Sequence, residues 1–366
     1  MQLEKFQDHD FMISKLNECK DAGTMLKQYD MDDILGSKAI GLSNDPVRDF
    51  LDYKFRRYYD GVDLDVSALV MWTYCQLYGW NTEDISSQGT ANRNCDRYKI
   101  AVKYREYGGD TLTSAWTPLR CYVERLMVEN KIEVPDNLKS VIDFNGEKLV
   151  YYSSAGDMIT HLNRALGKSE DNFEAMTKFL SDILQGHDDA LEFIKRWQEI
   201  GNFVVVPHNT INNKRSNGGK TDTADHLLWS IRNLFASNIT ENYLYGLFDH
   251  GYINWTLDCA LSADKDWMIY PNGKMNGIHW MGPFIEANLL QDFVMDFDNG
   301  DFRPISFRKS TRREDGGLHK VAVDSINCSK DYKSMPVSTA EFENFFYAVN
   351  WCIKARSKRI YNKLGI

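Results

Sequence analysis

The sequence predicts an α+β protein that is predominantly helical and contains a small antiparallel sheet. Three observations lead to this fold class. Residues 157–200 and 338–362 carry apolar side chains at helical spacing, apolar and polar residues alternate over 98–104, and Asn145-Gly146 lies between two short apolar runs. An Asn-Gly pair in that setting is typical of a β-hairpin turn, because both residues tolerate positive φ.

In its N-terminal part the sequence predicts several helices, followed by a loop that leads to the first strand. The first forty residues have helical character, and apolar residues recur at helical spacing over 47–59. Residues 67–78 are apolar almost all round and are followed by Gly79, which predicts a buried helix ending at a left-handed glycine. Residues 81–96 are polar and are predicted to form a loop.

The middle of the chain predicts a hairpin, then helices, then one buried strand. The hairpin spans 141–152 around the Asn-Gly turn. Two or three helices are predicted over 157–200, with breaks near Gly167 and Gly186. The apolar run Phe203–Val206, closed by a proline, predicts a short buried strand.

The C-terminal part ends in the best-specified helix of the chain. A helix is predicted over 225–235, helical segments at both ends of 243–297, and a hairpin over 305–327. Ser338 and Glu341 have the spacing of a capping box, in which each side chain bonds a free N–H group at the start of a helix. The predicted sheet combines four regions: 98–104, 141–152, 203–206 and 305–325.

The domain organisation is predicted from length and element order. A chain of 366 residues is long enough for two ordinary domains. A boundary near residue 140 would separate a mostly helical region, 1–140, from an α+β domain, 141–366. A single domain is the alternative.

Composition bounds the class of protein. Hydrophobic residues make up 43% and charged residues 26%, as in folded proteins, and the formal charge of −9 argues against broad coating of nucleic acid. The seven cysteines are widely spaced and contain no Cys-x-x-Cys pair, which indicates a reduced, cytoplasmic protein. The start lacks the basic and apolar regions of a secretory signal, and the longest apolar runs are far shorter than the ~20 residues of a membrane helix. No membrane association is therefore expected.

Several motifs resemble known sites but do not fit them. Gly219-Lys220 follows a strand as in a phosphate-binding loop, but Lys214 stands where that motif requires its first glycine. Asp296–Gly300 resembles a calcium loop, but Phe307 stands in place of the glutamate at position 12, which favours a tight turn. The histidines show no metalloprotease spacing, and no nucleophile elbow occurs. The sequence predicts no metal site and leaves the cofactor unknown.

The segment 201–235 is the strongest candidate for a functional site. A buried strand leads into a long polar loop, and a helix follows, so that backbone N–H groups and the positive end of the helix dipole point outward. An ordered loop of this length is often functional. The predicted ligand-binding residues are Asn212, Arg215, Lys220 and Arg232, and the predicted catalytic residues are His208, Asp222 and Asp225.

The same segment has a structural interpretation. Asp222 or Asp225 can cap the following helix and pair with Arg215, which would make the loop a connector without a ligand. The basic residues near the C-terminus, Lys354 to Lys363, likewise favour the end of a helix without binding nucleic acid.

These residues carry a resemblance to a bacterial family catalogued only as a domain of unknown function. The family pattern is an apolar strand ending in Phe-Pro, then Ile-Asn, then Arg, then Asp-Arg-x-Asp opening a helix that ends in Ile-Arg. The corresponding stretches here are Val205-Val206-Pro207, Ile211-Asn212, Arg215, Asp222-Thr223-Ala224-Asp225 and Ile231-Arg232, with further similarity at Tyr252, 289–294, Arg356 and Arg359-Ile360. The family carries arginine at the position of Thr223. The resemblance covers 200–362 and implies the location of a site.

Two functional hypotheses follow. In the first, the chain binds or acts on a phosphate-bearing ligand, which is a nucleotide or a nucleic-acid end; Arg215 and Arg232 hold the anion, and His208 or His226 transfers protons. In the second, it is a non-enzymatic interaction protein, such as a phage-defence or mobile-element accessory factor, and the aromatic region 243–280 meets a protein partner.

Overall fold

A computed structural model gives the coordinates of the protein and describes part of the chain. The described residues are 8–20, 43–52, 65, 67–88, 97–102, 105–144, 147–150, 153–167, 172–207, 223–236, 281–324 and 335–366. Of the residues predicted to be helical, 1–7, 21–40 and 53–59, together with most of 243–297, lie outside these ranges.

Helices dominate the described part of the chain, which confirms the predicted fold class. The helices are α1 His9–Glu18, α2 Ala68–Tyr78, α3 Trp116–Glu129, α4 Ala155–Ala165, α5 Asn172–Ile183, α6 Asp188–Arg196, α7 Ala224–Ala236, α8 Met281–Ala287 and α9 Thr339–Leu364; residues 46–52 are also helical. The strands are β1 Ile85–Gln88, β2 Arg97–Val102, β3 Arg105–Thr111, β4 Val141–Phe144, β5 Glu147–Val150, β6 Phe203–Pro207, β7 Val294–Asp296, β8 Asp301–Pro304, β9 Thr311–Arg312 and β10 Leu318–His319.

The main sheet has four antiparallel strands in the order β1-β2-β3-β6. Strand β6 pairs with β3 in a register that places Val205 opposite Gly109. Strand β1 lies in the segment predicted to be a loop, so that prediction is wrong for residues 85–88. The polar sequence Ile-Ser-Ser-Gln forms a strand through its antiparallel pairing with β2, and polar residues are tolerated there because, among the described strands, β1 is at the edge of the sheet.

The prediction that one sheet combines all four strand regions is also wrong. The pairs β4–β5, β7–β8 and β9–β10 are separate two-stranded hairpins. Each hairpin pairs two strands that are joined by a short turn, and this local pairing is what the sequence alone detects. The tight turn predicted at Asp296–Gly300 is confirmed between β7 and β8; Gly300 has φ 76°, and Asp296 accepts a hydrogen bond from the Asn299 backbone at 3.2 Å.

Helix ends follow the predicted glycines. Helix α2 begins at Ser67, whose hydroxyl accepts the Val70 N–H, and ends at Gly79 in the left-handed region, as predicted. The breaks near Gly167 and Gly186 are confirmed, with φ of 86° and 81°. At the start of α9 the capping box is only half formed, since Glu341 accepts the N–H of Val337 and not that of Ser338.

Helix α9 runs through the core and contacts both halves of the chain. It packs against α6, α3 and α2, and the Tyr361 hydroxyl donates to the Cys19 carbonyl near the N-terminus at 2.9 Å. Together with the β3–β6 pairing, these contacts join the two predicted domains through one hydrophobic core. The boundary near residue 140 stays a prediction, and the contacts favour the single-domain alternative.

Two arginines lie buried in cages of backbone carbonyls. Arg120, 2% exposed, donates to the carbonyls of residues 137–139 and to the Ser153 hydroxyl. Arg356, fully buried on α9, donates to the carbonyls of Asn288, Gly201 and Phe203 and to the Tyr74 hydroxyl. Each guanidinium therefore satisfies buried carbonyl groups of other segments and holds those segments against its own helix.

The end of α6 holds a buried carboxyl group. Glu199 is 3% exposed; its Oε1 accepts a hydrogen bond from Arg196 at 2.8 Å, and its Oε2 has no partner among the described residues. Burial raises the pKa of Glu199, and the charge of Arg196 opposes this shift. Folding therefore disfavours the ionised form of Glu199 relative to the unfolded chain.

This shift predicts a pH dependence of stability. The folded-state pKa of Glu199 lies above its unfolded value of about 4.3. The contribution of the protonated carboxyl group to stability is therefore fully present below that pH, and it is lost as the pH rises through the folded-state pKa. We expect Glu199→Gln to become more stable relative to the wild type as the pH increases over this window. Urea denaturation of both proteins across that range measures the difference. A difference that does not change with pH would contradict the prediction.

No helix within the described residues combines the length and apolar character needed to cross a bilayer. The described cysteines, Cys19, Cys75, Cys121 and Cys352, are buried.

Candidate functional site

The strand and the helix that flank the predicted site are present where the sequence places them. Strand β6 ends at Pro207, and helix α7 begins at Ala224, within one residue of the predicted start. The predicted residues His208, Asn212, Arg215, Lys220 and Asp222 lie outside the described ranges. Of the predicted set, the structure describes Asp225 and Arg232, both on α7.

Asp225 is buried at the first turn of α7 and accepts three hydrogen bonds. Its Oδ1 accepts the Thr223 hydroxyl at 2.6 Å and the His226 backbone N–H at 2.9 Å, and its Oδ2 accepts the Phe307 backbone N–H at 3.2 Å. A carboxylate satisfied in this way fixes the start of the helix against the segment that follows β8. This contact to Phe307 is the structural role of Asp225; its predicted catalytic role stays a prediction.

A second anchor holds the start of α7 to the end of the sheet. The Thr113 hydroxyl accepts the Ala224 N–H at 3.2 Å, and Asn202 in turn binds both the N–H and the carbonyl of Thr113. Thr113 and Asn202 are fully buried and follow or precede strands β3 and β6. Sequence reasoning missed both residues, because a buried threonine and asparagine carry no motif that marks them.

These anchors change the expected chemistry of the helix start. The sequence analysis expected its N–H groups to point outward to an anion, but those of Ala224 and His226 already bond to protein side chains. That expectation is wrong for these two groups, because Thr113, which is distant in the sequence, and the side chain of Asp225 accept their hydrogen bonds. An anion at the start of α7 would therefore be bound by side chains and not by these two N–H groups.

Arg232 is the one cationic residue of the predicted site that lies within the described ranges. A spacing of seven residues places it on the same face of α7 as Asp225, two turns later, and this face packs against β8. Its Nε is buried and has no hydrogen-bond partner among the described residues. The hydrogen bond from Arg303 lowers the pKa of Asp301 on β8, and the charge of Arg232 lowers it further.

His226 adds a second buried nitrogen without a partner on the same helix. Its Nδ1 is buried and has no hydrogen-bond partner within the described part of the chain. It lies six residues before Arg232, about 120° away around the helix, so the two side chains leave α7 on different faces. Of these two residues, Arg232 is therefore the one that lies on the same face of α7 as Asp225.

The described residues contain no group of three or more histidine, cysteine or acidic side chains arranged to hold a metal ion. The aromatic region 243–280, which the interaction hypothesis uses, lies outside the described ranges.

Comparison of the chain with protein-family models, with curated proteins and with solved structures finds no match. The resemblance to the uncharacterised bacterial family stays a prediction.

Proposed function

We propose that the chain binds a phosphate-bearing ligand, a nucleotide or a nucleic-acid end, between β6 and α7. The observation that carries the proposal is Arg232: a buried guanidinium nitrogen without a hydrogen-bond partner among the described residues, on the helix that follows the basic loop. A donor left unpaired inside a protein costs about 1–3 kcal/mol. A phosphate oxygen would satisfy it and strengthen the bond with charge.

The basic residues of the loop support the same ligand class. Lys214, Arg215 and Lys220 lie within seven residues of one another, although the protein as a whole carries a charge of −9. A local excess of cations in an acidic protein favours one anionic ligand over coating of a long polyanion. Because arginine binds phosphate with two parallel hydrogen bonds, Arg215 and Arg232 are the principal ligand-binding residues in this proposal.

The test is binding of three probes measured by calorimetry: inorganic phosphate, ATP and a 5′-phosphorylated oligonucleotide. We expect at least one probe to bind, and Arg215→Ala and Arg232→Gln each to weaken it about tenfold or more, since a charge-assisted hydrogen bond contributes about 1.5–3 kcal/mol. Arg313→Ala is the control, because Arg313 is exposed and pairs with Asp315 in the β9–β10 hairpin.

Melting temperatures separate a binding role from a structural role. In a binding role, Arg215→Ala melts like the wild type while its affinity falls. The proposal fails if none of the three probes binds. It also fails if both variants lose melting temperature in proportion to affinity, because the loop would then be a structural connector.

A further inference from the structure

A cluster of titratable side chains lies where α3, α6 and α9 meet, outside the site on α7. Tyr122 belongs to α3, His187 is the residue before α6, and Glu343 lies on α9. The Tyr122 hydroxyl lies 2.8 Å from His187 Nδ1, and Glu343 Oε1 lies 3.2 Å from that nitrogen and 3.4 Å from the hydroxyl. The three polar atoms form a closed triangle.

Packing holds this triangle in place. Tyr122 is fully buried, stacks on Phe342 at 4.9 Å and meets the His187 ring edge-on at 5.3 Å. The backbone of His187 is fixed on both sides, since its N–H donates to Leu184 and its carbonyl accepts the N–H of Ala190. The imidazole is therefore oriented before any ligand arrives.

The triangle favours one tautomer of neutral His187. With the proton on Nδ1, the ring donates to Tyr122 or to Glu343, and the Tyr122 hydroxyl donates to Glu343. With the proton on Nε2, the Tyr122 hydroxyl can donate to Nδ1, but the lone pair of Nδ1 then also faces the Glu343 carboxylate at 3.2 Å, which is repulsive. The geometry therefore favours the tautomer with the lone pair on Nε2.

The other ring nitrogen of His187, Nε2, belongs to a side chain that is partly exposed. The His187 side chain is 20% exposed, and no hydrogen-bond partner of Nε2 occurs in the described ranges. Nε2 is also not among the buried unpartnered atoms. An imidazole held at Nδ1 by an acidic group, with a free Nε2, has the arrangement of a general base.

We propose that His187 is the base of a second site, at which a hydroxyl group of a neutral or positively charged compound gives its proton to Nε2. The O–H electron pair stays on the hydroxyl oxygen, and His187 becomes an imidazolium that Glu343 stabilises. Tyr122 and Glu343 are positioning residues, because they contact the imidazole and not the substrate.

The charge around the cluster selects this substrate class. The carboxylates of Glu343, Glu129 and Asp189 each raise the pKa of Tyr122, after the larger effect of its burial. Two cations near the cluster are already paired: Arg312 binds both oxygens of Asp189 at 2.7 Å and lies over the Tyr347 ring, and Arg125 pairs with Glu129 at 2.9 Å. The charge of Glu343, which neither pair compensates, disfavours anions, in contrast to the site proposed on α7.

The first test is the reaction of the folded protein with diethyl pyrocarbonate, followed residue by residue with mass spectrometry. We expect His187 to react several-fold faster than His319, which is more exposed but has no orienting side-chain partner among the described residues. Glu343→Gln should slow His187, leave His319 unchanged and shift the pH profile of the His187 rate. Glu286→Gln, an exposed change on α8, is the charge control. A slower reaction at His187 than at His319, or no effect of Glu343→Gln, would overturn the proposal.

The second test is the charge preference. Ethanolamine and glycolate are small hydroxyl compounds of opposite charge at neutral pH. We expect ethanolamine to shift the NMR signals of the His187 imidazole in the wild type and to lose this effect in Glu343→Gln. An equal or larger shift with glycolate, or no shift with ethanolamine, would refute the proposed substrate class. Neither result depends on phosphate binding at α7.

Discussion

Replacement of Arg356 by alanine is expected to lower the free energy of unfolding by about 4 kcal/mol or more. The guanidinium is fully buried and donates to three carbonyls, at 2.9 Å to Asn288, 2.8 Å to Gly201 and 2.6 Å to Phe203. Alanine would leave the Asn288 and Gly201 oxygens without the Arg356 donor, each at a cost of about 1–3 kcal/mol, and would create a cavity; the Phe203 oxygen would keep the hydrogen bond from the Tyr74 hydroxyl. Since domains are stable by only about 5–15 kcal/mol, the variant would lose much of its stability.

The shape of the arginine side chain predicts how the loss of stability differs among variants at position 356. The carbonyls come from separate segments, around 201–203 and at 288, so a planar fork with five donors is needed to reach all of them. A lysine at this position retains the charge and gives three donors from a single atom, and we expect Arg356→Lys to lose about half as much stability as alanine. Arg356→Met fills the space without donors, so it should lose less than alanine by the contribution of the cavity and still lose the hydrogen bonds.

Urea denaturation of Arg356→Ala, Arg356→Met and Arg356→Lys tests this order. Lys358→Ala is the matched control, because Lys358 is exposed on the same helix and should change stability by less than about 0.5 kcal/mol. If Arg356→Met were as stable as the wild type, the carbonyl cage would not contribute to folding.

Replacement of Gly201 by alanine is expected to cost about 3 kcal/mol. A Cβ at this position would lie 2.3 Å from the Ile353 carbonyl oxygen, 2.4 Å from the Ser357 hydroxyl and 2.7 Å from the Ser357 backbone nitrogen. Two of these atoms belong to the α9 backbone, which cannot turn aside as a side chain can. The Gly201 N–H also donates to the Ser357 hydroxyl, and separation of the two backbones would break this bond.

The control for this variant is Gly282, a glycine on helix α8. At Gly282 the nearest atom to an added Cβ is the end of the Phe302 ring at 3.0 Å, which a small rotation of the side chain relieves. We therefore expect Gly282→Ala to lose clearly less stability than Gly201→Ala in the same denaturation experiment. Equal losses would show that the close approach of 201 to α9 is not the cause.

The candidate site shows how far sequence reasoning reached. The strand and the helix around the polar loop were predicted within one residue, because both leave local signals: an apolar run ended by proline and a helical repeat of apolar residues. The caps on the helix, Thr113 and the partner of Asp225 at Phe307, were not predicted. They come from positions about 80 residues or more away in the chain, and no local pattern specifies such a contact.

The His187 cluster was likewise outside the reach of sequence reasoning. Tyr122, His187 and Glu343 are separated by 65 and 156 residues, and none belongs to a recognisable motif. Three buried helices had to pack before these atoms could meet.

The sequence by itself determined the predominantly helical α+β class, the glycine-ended helices and the short hairpins. Each of these depends on interactions between residues a few positions apart, so the local pattern is sufficient. Only the tertiary structure decided which strands share a sheet, where the buried arginines find their carbonyls and which side chains surround His187. Those choices depend on the burial of apolar surface shared by distant segments, and the pairing that buries it best is not encoded in any one segment.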